Sequence, residues 1–178
     1  EPVLMAAYDF EDGTPKDTTG NGWDLTLVGN AIEVYGDKPE GSRALSFRGG
    51  TQHATFPQGM FDGLDEFTFE MNYKNRESNG NFFTFAIGQD SQKYLYLRTR
   101  YQELTTAITK QTYNNESKAT AALGSSIQNQ WHTLRTTVSP EEIVIYLDGK
   151  RVARQQNVGT TISELGTNLI GYPGRSFY

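Results

Sequence analysis

An all-β architecture of two packed antiparallel sheets is what this sequence predicts, on three observations. Short runs in which apolar and polar residues alternate recur along the chain, with Gly, Asn, Asp and Pro clusters between them, the rhythm of a sandwich or barrel. Ten Phe, ten Tyr and two Trp against only three Met favour half-buried pleated surfaces. No stretch long enough for a stable helix carries a 3.6-residue apolar period.

In chain order the expected strands are "VLMAAYDF" (3–10), "WDLTLVG" (23–29), "RALSF" (43–47), "QHATF" (52–56), "EFTFEMNYK" (66–74), "FFTFAIG" (82–88), "YLYLRTR" (94–100), "LTTAITK" (104–110), "WHTLRTTV" (131–138), "EIVIYLD" (142–148), "RVARQQ" (151–156) and "NLIGY" (168–172). So many strands need two stacked sheets. Within 66–74, Phe67, Phe69, Met71 and Tyr73 point one way and Glu66, Thr68, Glu70, Asn72 and Lys74 the other. In 94–100, Leu95 and Leu97 oppose Tyr94, Tyr96, Arg98 and Arg100, so each strand is expected to have one buried and one solvated face. The stretch "WHTLRTTVSPEEIVIYLDGKRVA" (131–153) reads as a meander. Its first two strands meet at the Ser139-Pro140-Glu141-Glu142 corner, and Asp148-Gly149-Lys150 supplies the positive φ of a tight hairpin. "TYNNESKATAALGSS" (112–126) reads as a long polar connection.

Composition excludes several functions. The chain has no Cys, hence neither a disulfide framework, thiolate catalysis nor cysteine-ligated zinc. Its net charge of −5 comes without a Lys/Arg block, so the footprint of a nucleic-acid binder is missing. No apolar run is long enough to span a bilayer as a helix. The start at Glu1, without initiator Met or signal peptide, leads to the expectation of a processed or excised piece of a longer protein.

The 131–153 stretch resembles the signature of laminin G-like, concanavalin A-like jelly rolls, in which a Trp-led strand runs through a short corner to a Tyr-Leu-Asp-Gly-Lys hairpin. "AYDFEDG" (7–13), "DTTGNGWDLTL" (17–27), "GSRALSFRGG" (41–50), "FTFEMNYK" (67–74) and "LIGYPG" (169–174) agree in order. The resemblance implies an all-β, two-sheet antiparallel jelly-roll sandwich forming one domain over 1–178. It also implies that a final strand, pairing beside the first, lies beyond Tyr178. The edge near Val3 to Phe10 is then expected to be bare until that strand comes from further residues or another chain.

Two residue sets stand out as sites. Tyr94, Tyr96, Arg98 and Arg100 project from one strand and, with Arg135, either line a shallow groove, Glu70, Asn72 and Gln111 adding planar hydrogen-bonding groups, or simply cover the sheet as cross-strand Tyr and Arg pairs commonly do. Aromatic faces and such planar groups are what sugars stack on and bond to. Asp9, Asp12, Asp17, Asn21 and Asp24, among the glycines at 13, 20 and 22, offer the hard oxygen ligands calcium takes; the resemblance implies one structural calcium there. The same residues are also ordinary turn formers.

Enzymatic signals are weak. Glu66 and Glu70 have the outer spacing of the laminarinase-type carboxylates of this fold class, but Thr68 stands where the resemblance implies a central Asp, and a solvated strand face is expected. His53 and His132 fit no zinc or iron pattern, and His132 is expected to be packed and satisfied by one hydrogen bond. There is no Gly-x-Ser-x-Gly elbow and no phosphate-binding glycine loop. Trp23, Tyr101 and Tyr113 are expected at strand ends or turns, where recognition usually lies. Asn115-Glu116-Ser117 is a glycosylation sequon.

The expected function is therefore a non-catalytic, lectin-like carbohydrate-binding module of a larger secreted, bacterial glycan-degrading enzyme, extracellular or at the cell surface. Its partners would be a polysaccharide or glycan and other domains of the parent chain, without nucleic acid or membrane insertion. A structural or adhesion module without a sugar site is the alternative, and an occluded groove face would favour it. A glycoside hydrolase is a third reading, against which Thr68 argues.

Overall fold

The computed structural model describes residues 1–29, 31–49, 51–76, 81–100 and 102–166. The chain forms two compact units, Glu1–Met60 and Phe61–Tyr178.

In the first unit, β1 (Thr26–Val28), β2 (Ala31–Val34), β3 (Arg43–Ser46) and β4 (His53–Thr55) form two small ladders, β1 with β4 and β2 with β3. Long connections carry the rest of this unit, and carboxylates hold them. Glu11 accepts from the Ser42 and Arg43 N–H groups, each at 2.8 Å, and from Ser42 Oγ at 2.8 Å. The Arg43 and Ser42 bonds hold its carboxyl down at about 2.

The second unit is the sandwich. Its strands are β5 (Phe67–Tyr73), β6 (Asn81–Gly88), β7 (Tyr94–Arg100), β8 (Glu103–Thr109), β9 (Ser117–Ala122), β10 (His132–Val138), β11 (Glu142–Leu147) and β12 (Lys150–Gln156). One antiparallel sheet has the order β12-β11-β10-β5 and the other β6-β7-β8-β9. At the β10–β11 corner the Ser139 N–H donates to the Glu142 carbonyl at 2.9 Å and the Glu142 N–H to Ser139 Oγ at 3.2 Å. The next hairpin has positive φ at both Asp148 (52°) and Gly149 (80°), the requirement of the two-residue turn whose twist matches its strands.

Aromatic rings join the sheets. Phe85 of β6 stacks on Phe69 and Phe67 of β5, centroids 4.3 Å and 5.5 Å apart, and Phe61 meets both Phe67 and Phe85 edge-on. Leu134, Val138, Ile143 and Ile145 are buried in one sheet and Ile87, Leu95, Leu97, Leu104 and Ile108 in the other. Several hydroxyls of this interior pair with one another, as burial favours. Thr136 Oγ1 donates to Thr106 Oγ1 across the sheets at 2.9 Å, and Tyr73 Oη meets Thr99 Oγ1 at 2.8 Å.

Three expectations change. Residues 3–10 are not assigned to a strand, and Val3 and Leu4 are exposed. Their main-chain groups serve a loop instead: the Met5 and Ala7 carbonyls accept from the side chains of Asn21 and Thr18, and the Ala7 N–H donates to Asp17. Ala31–Val34 and Ser117–Ala122 are strands the sequence did not announce; the second replaces the middle of the expected polar connection with an edge strand whose Ala119 and Ala121 are buried. The strand expected at 168–172 lies outside the described residues.

The stacked phenylalanines generate the first prediction. Phe85→Ala should destabilise the protein by about 3–5 kcal/mol through lost contacts and an unfilled cavity, whereas Thr68→Ala, on the exposed face of β5, should stay within about 0.5 kcal/mol. Urea unfolding followed by circular dichroism reads both.

Candidate functional site

The residues expected to form one groove lie on two sheets. Tyr94, Tyr96, Arg98 and Arg100 are on β7, whereas Glu70, Asn72 and Arg135 are on β5 and β10.

On β7 the tyrosines are not solvated, contrary to the alternation argument. Tyr94 and Tyr96 are only 2% and 3% exposed and cluster with Ala86, Ala107 and Phe83. Small cross-strand partners explain this: Ala86 and Ala107 flank Tyr96 in the ladder and leave room for its ring. The two rings stack at 5.7 Å and Phe83 meets Tyr96 edge-on at 4.9 Å. Both hydroxyls donate to the Glu116 carboxylate, Tyr96 at 3.2 Å. Burial first, and then the Glu116 carboxylate, push both phenols far above their ordinary value, so they remain donors. The accessible part of this set is its basic end. The Arg98 guanidinium lies 5.9 Å from the Tyr96 ring centre, and Arg98 and Arg100 both reach Glu103 Oε1, at 3.5 Å and 3.4 Å.

On the other sheet Arg135 faces Glu70 across the β10–β5 ladder and Tyr146 across the β10–β11 ladder. Its guanidinium lies over the Tyr146 ring at 4.4 Å, and Nη1 stands 3.8 Å from Glu70 Oε2. Asn72 Oδ1 accepts from Thr133 Oγ1 at 3.1 Å beside them. The Arg135 and Glu70 side chains are 40% and 54% exposed, so this set presents a ring, a guanidinium, a carboxylate and an amide on one open sheet face. Glu66 precedes β5 and is exposed, as are Thr68 and Glu70, in keeping with a solvated face.

The acidic loop residues divide. Asp17 is buried and central: Oδ1 accepts from the Ala7 N–H (3.1 Å), the Thr19 N–H (3.0 Å) and Thr19 Oγ1 (2.7 Å), and Oδ2 from the Trp23 N–H (3.2 Å). Asp24 Oδ1 accepts from the Asp17 N–H at 2.8 Å, and Asn21 Nδ2 donates to the Met5 carbonyl at 2.8 Å. Asp9 and Asp12 each close their own turn, on the Glu11 and Thr14 N–H groups. Asp17 as arranged does not offer its oxygens to calcium, because N–H and O–H donors already surround them and a cation needs those lone pairs free. Among the described residues no group of three or more His, Cys, Asp or Glu could hold a metal ion. Burial raises the Asp17 pKa, but the Thr19, Ala7 and Trp23 bonds outweigh it and bring the carboxyl to about 2.

His132 is packed and held by one bond, Nδ1 to Asp148 Oδ2 at 2.7 Å, while Asp148 Oδ1 accepts from the Thr133 N–H at 2.9 Å. This pair ties the open end of the β10–β11 hairpin. Two clefts open at the opposite end of those strands, where residues 157–160 cross. One, of about 720 Å³, is lined by Pro140, Glu141, Arg154 and Asn157. The other, of about 210 Å³, is lined by Thr109, Lys110, Gln111, Asn115, Ser117, Val158 and Thr160. The first is assembled within the β10–β12 meander and the chain that follows it, the second from segments about forty residues apart, 109–117 and 158–160.

Two antiparallel four-strand sheets stacked on an aliphatic and aromatic interior define a concanavalin A-like sandwich. The chain belongs to the concanavalin A-like lectin/glucanases superfamily, whose family model matches residues 48–177. Among solved structures it is similar to domain 4 of AbnA, a GH43 extracellular arabinanase from Geobacillus stearothermophilus, in complex with arabinotriose. The TM-score is 0.71 at 18% identity, over 94% of this chain and 81% of that one. It is also similar to the Ruminococcus gnavus IT-sialidase CBM40 bound to α2,6-sialyllactose, with TM-score 0.52, 12% identity and 60% and 64% coverage. The binding domain of botulinum neurotoxin DC in complex with SialylT matches 89% of this chain at TM-score 0.59 and 14% identity, and the match spans 41% of that domain. At these identities the likeness is one of fold. No curated protein matches the chain by sequence.

The Asp17 hub sets a pH dependence. A carboxyl lowered from 3.8 to about 2 in the folded protein contributes stability that is present above about pH 4 and is lost as the pH falls through 2. The advantage of the wild type over Asp17→Asn in urea midpoint should therefore be larger at pH 6 than at pH 2.5. An equal difference at both pH values would show that the Asp17 charge is not what the loop uses.

Proposed function

We propose that this chain is a non-catalytic, lectin-like carbohydrate-binding module of a larger secreted glycan-degrading enzyme, and that Glu70, Asn72 and Arg135 meet the sugar. The observation that carries this reading is the open surface those residues share with Tyr146 on one sheet. Arg135 and Glu70 are both accessible and spaced 3.8 Å apart, so vicinal hydroxyls can accept from the guanidinium and donate to the carboxylate in one plane. The strands fix the spacing before a ligand arrives, which limits the ordering cost of binding. The fold supports the reading: solved domains of similar architecture are complexed with arabinotriose and sialyllactose. Arg98 and Arg100, bridged by Glu103 on β7, form a second accessible polar set. Tethered to an enzyme, such a module would raise the effective concentration of the catalytic domain at its polysaccharide.

A second reading has its own observation. The burial of Tyr94 and Tyr96 removes the aromatic platform on β7, and an occluded face of that kind suits a structural or adhesion module that binds no sugar.

Binding to a glycan array and to insoluble polysaccharides separates the two. Arg135→Ala and Glu70→Ala should each weaken the wild-type interaction about tenfold, about 1.4 kcal/mol, without changing the melting temperature by more than a few degrees. Tyr96→Ala should instead lower stability by about 3 kcal/mol or more. A folded wild type that binds no glycan would favour the adhesion reading.

A further inference from the structure

The outer face of the β12-β11-β10-β5 sheet carries more positive than negative charge along one row. Glu70, Arg135, Tyr146 and Arg151 stand opposite one another in register on β5, β10, β11 and β12. Three steps of about 4.8 Å between strands separate the first backbone from the last, the length of a short oligosaccharide. The Arg135 guanidinium is held by the Tyr146 ring and not by hydrogen bonds. Its Nη1 is 3.8 Å from Glu70, too far for one, and its buried Nε has no hydrogen-bond partner among the described residues. Arg151 is exposed and forms no ion pair among the described residues. Arg154, further along β12, is paired with Glu142. The row therefore holds two guanidinium groups and one carboxylate, an excess of positive charge in a chain whose net charge is −5.

We infer that the glycan this face takes is acidic: a uronate-bearing oligosaccharide laid across the strands, its hydroxyls on Glu70 and Arg135 and its carboxylate on Arg151. The inference rests on the glycan-binding reading above and adds to it the class of sugar and a further binding residue. Glu70 stands beside Arg135, so a ligand carboxylate placed there would meet a like charge, whereas at Arg151 no protein anion competes for the guanidinium. That planar group can bond both oxygens of a carboxylate at once, and a lysine in its place would keep the charge but lose the paired geometry. Tyr146 lies between the two arginines in the ladder and sets them two strand steps apart, roughly 10 Å at the backbone, so one ligand can engage both through different groups. Negative charge elsewhere on the chain is largely screened beyond about 8 Å at physiological salt, which leaves the local excess to act.

The test is a calorimetric titration of the protein with trigalacturonate and trimannuronate, each set against its neutral methyl ester, which keeps the rings and removes the charge. At least one acid should bind about tenfold or more tightly than its ester, and this preference should shrink as salt is raised. Arg151→Gln should abolish the preference by weakening the acid about tenfold while leaving the ester unchanged, and Arg151→Lys should retain part of it. Arg151 is exposed, so neither variant should alter the melting temperature. Equal binding of acid and ester, or a preference that survives Arg151→Gln, would overturn the inference and leave the glycan-binding reading standing. Arg151 would then be a charge that only deters pairing at the edge strand β12. No binding of any of the four probes would also overturn it; a glycan-array signal from the same preparation would show that the broader reading survives, and a silent array that both fall.

Discussion

The contact of Phe67 and Phe69 on β5 with Phe85 on β6 is the constraint from which most of the sandwich follows. A strand whose alternate residues are committed to a partner sheet has no freedom left on its other face. Once Phe69 points inward, Glu70 points outward. Because β10 is paired with β5 through Leu134–Met71 and Arg135–Glu70, the same commitment turns Arg135 outward and Leu134 in. The polar surface on β5 and β10 is thus a by-product of where the aromatic interior sits, with side-chain spacing set by the ladder. The threonines of the interior obey the same geometry, Thr136 and Thr106 meeting because their strands are stacked face to face.

The β7 strand departs from this two-faced pattern. Leu95 and Leu97 are buried on one side and Tyr94 and Tyr96 on the other, so β7 behaves as a strand covered on both faces. Such burial costs little when every polar atom is met, and the Glu116 carboxylate meets both phenols. Tyrosine can be amphipathic interior as readily as ligand platform, and here it is interior. Accessible chemistry is therefore displaced to the outer face of β5–β10–β11, to the arginine end of β7, and to the strand ends.

Legibility in the sequence followed the strength of local commitment. The β10–β12 meander could be read residue by residue because its corner and its Asp148-Gly149 turn impose backbone conformations that few sequences satisfy. β5 was equally clear from its strict alternation. Ser117–Ala122 was not, since small and polar residues give no periodic signal even where Ala119 and Ala121 are buried. Residues 3–10 carried a convincing apolar run yet form no strand, because Asp17, Thr18 and Asn21 capture the main-chain groups a ladder would need. The candidate residues are neighbours along each strand, but alternation cannot tell which of two sheets a strand joins, and so Arg135 and Tyr96 read as one groove. Glu11 and Glu116 were overlooked as organisers because each works on partners distant in the chain.

Glu116 has a further role beyond satisfying two phenols. It immediately follows the one turn of 3-10 helix, Tyr113–Asn115, and its side chain is gripped from beneath by Tyr94 and Tyr96, so the exposed turn is moored to the most enclosed part of the sheet. A surface element anchored in this way loses little freedom when something settles on it. The turn keeps little of the conformational freedom that a slack loop of the same length would have. Rigidity generated inside the sheet is in this sense exported to its rim.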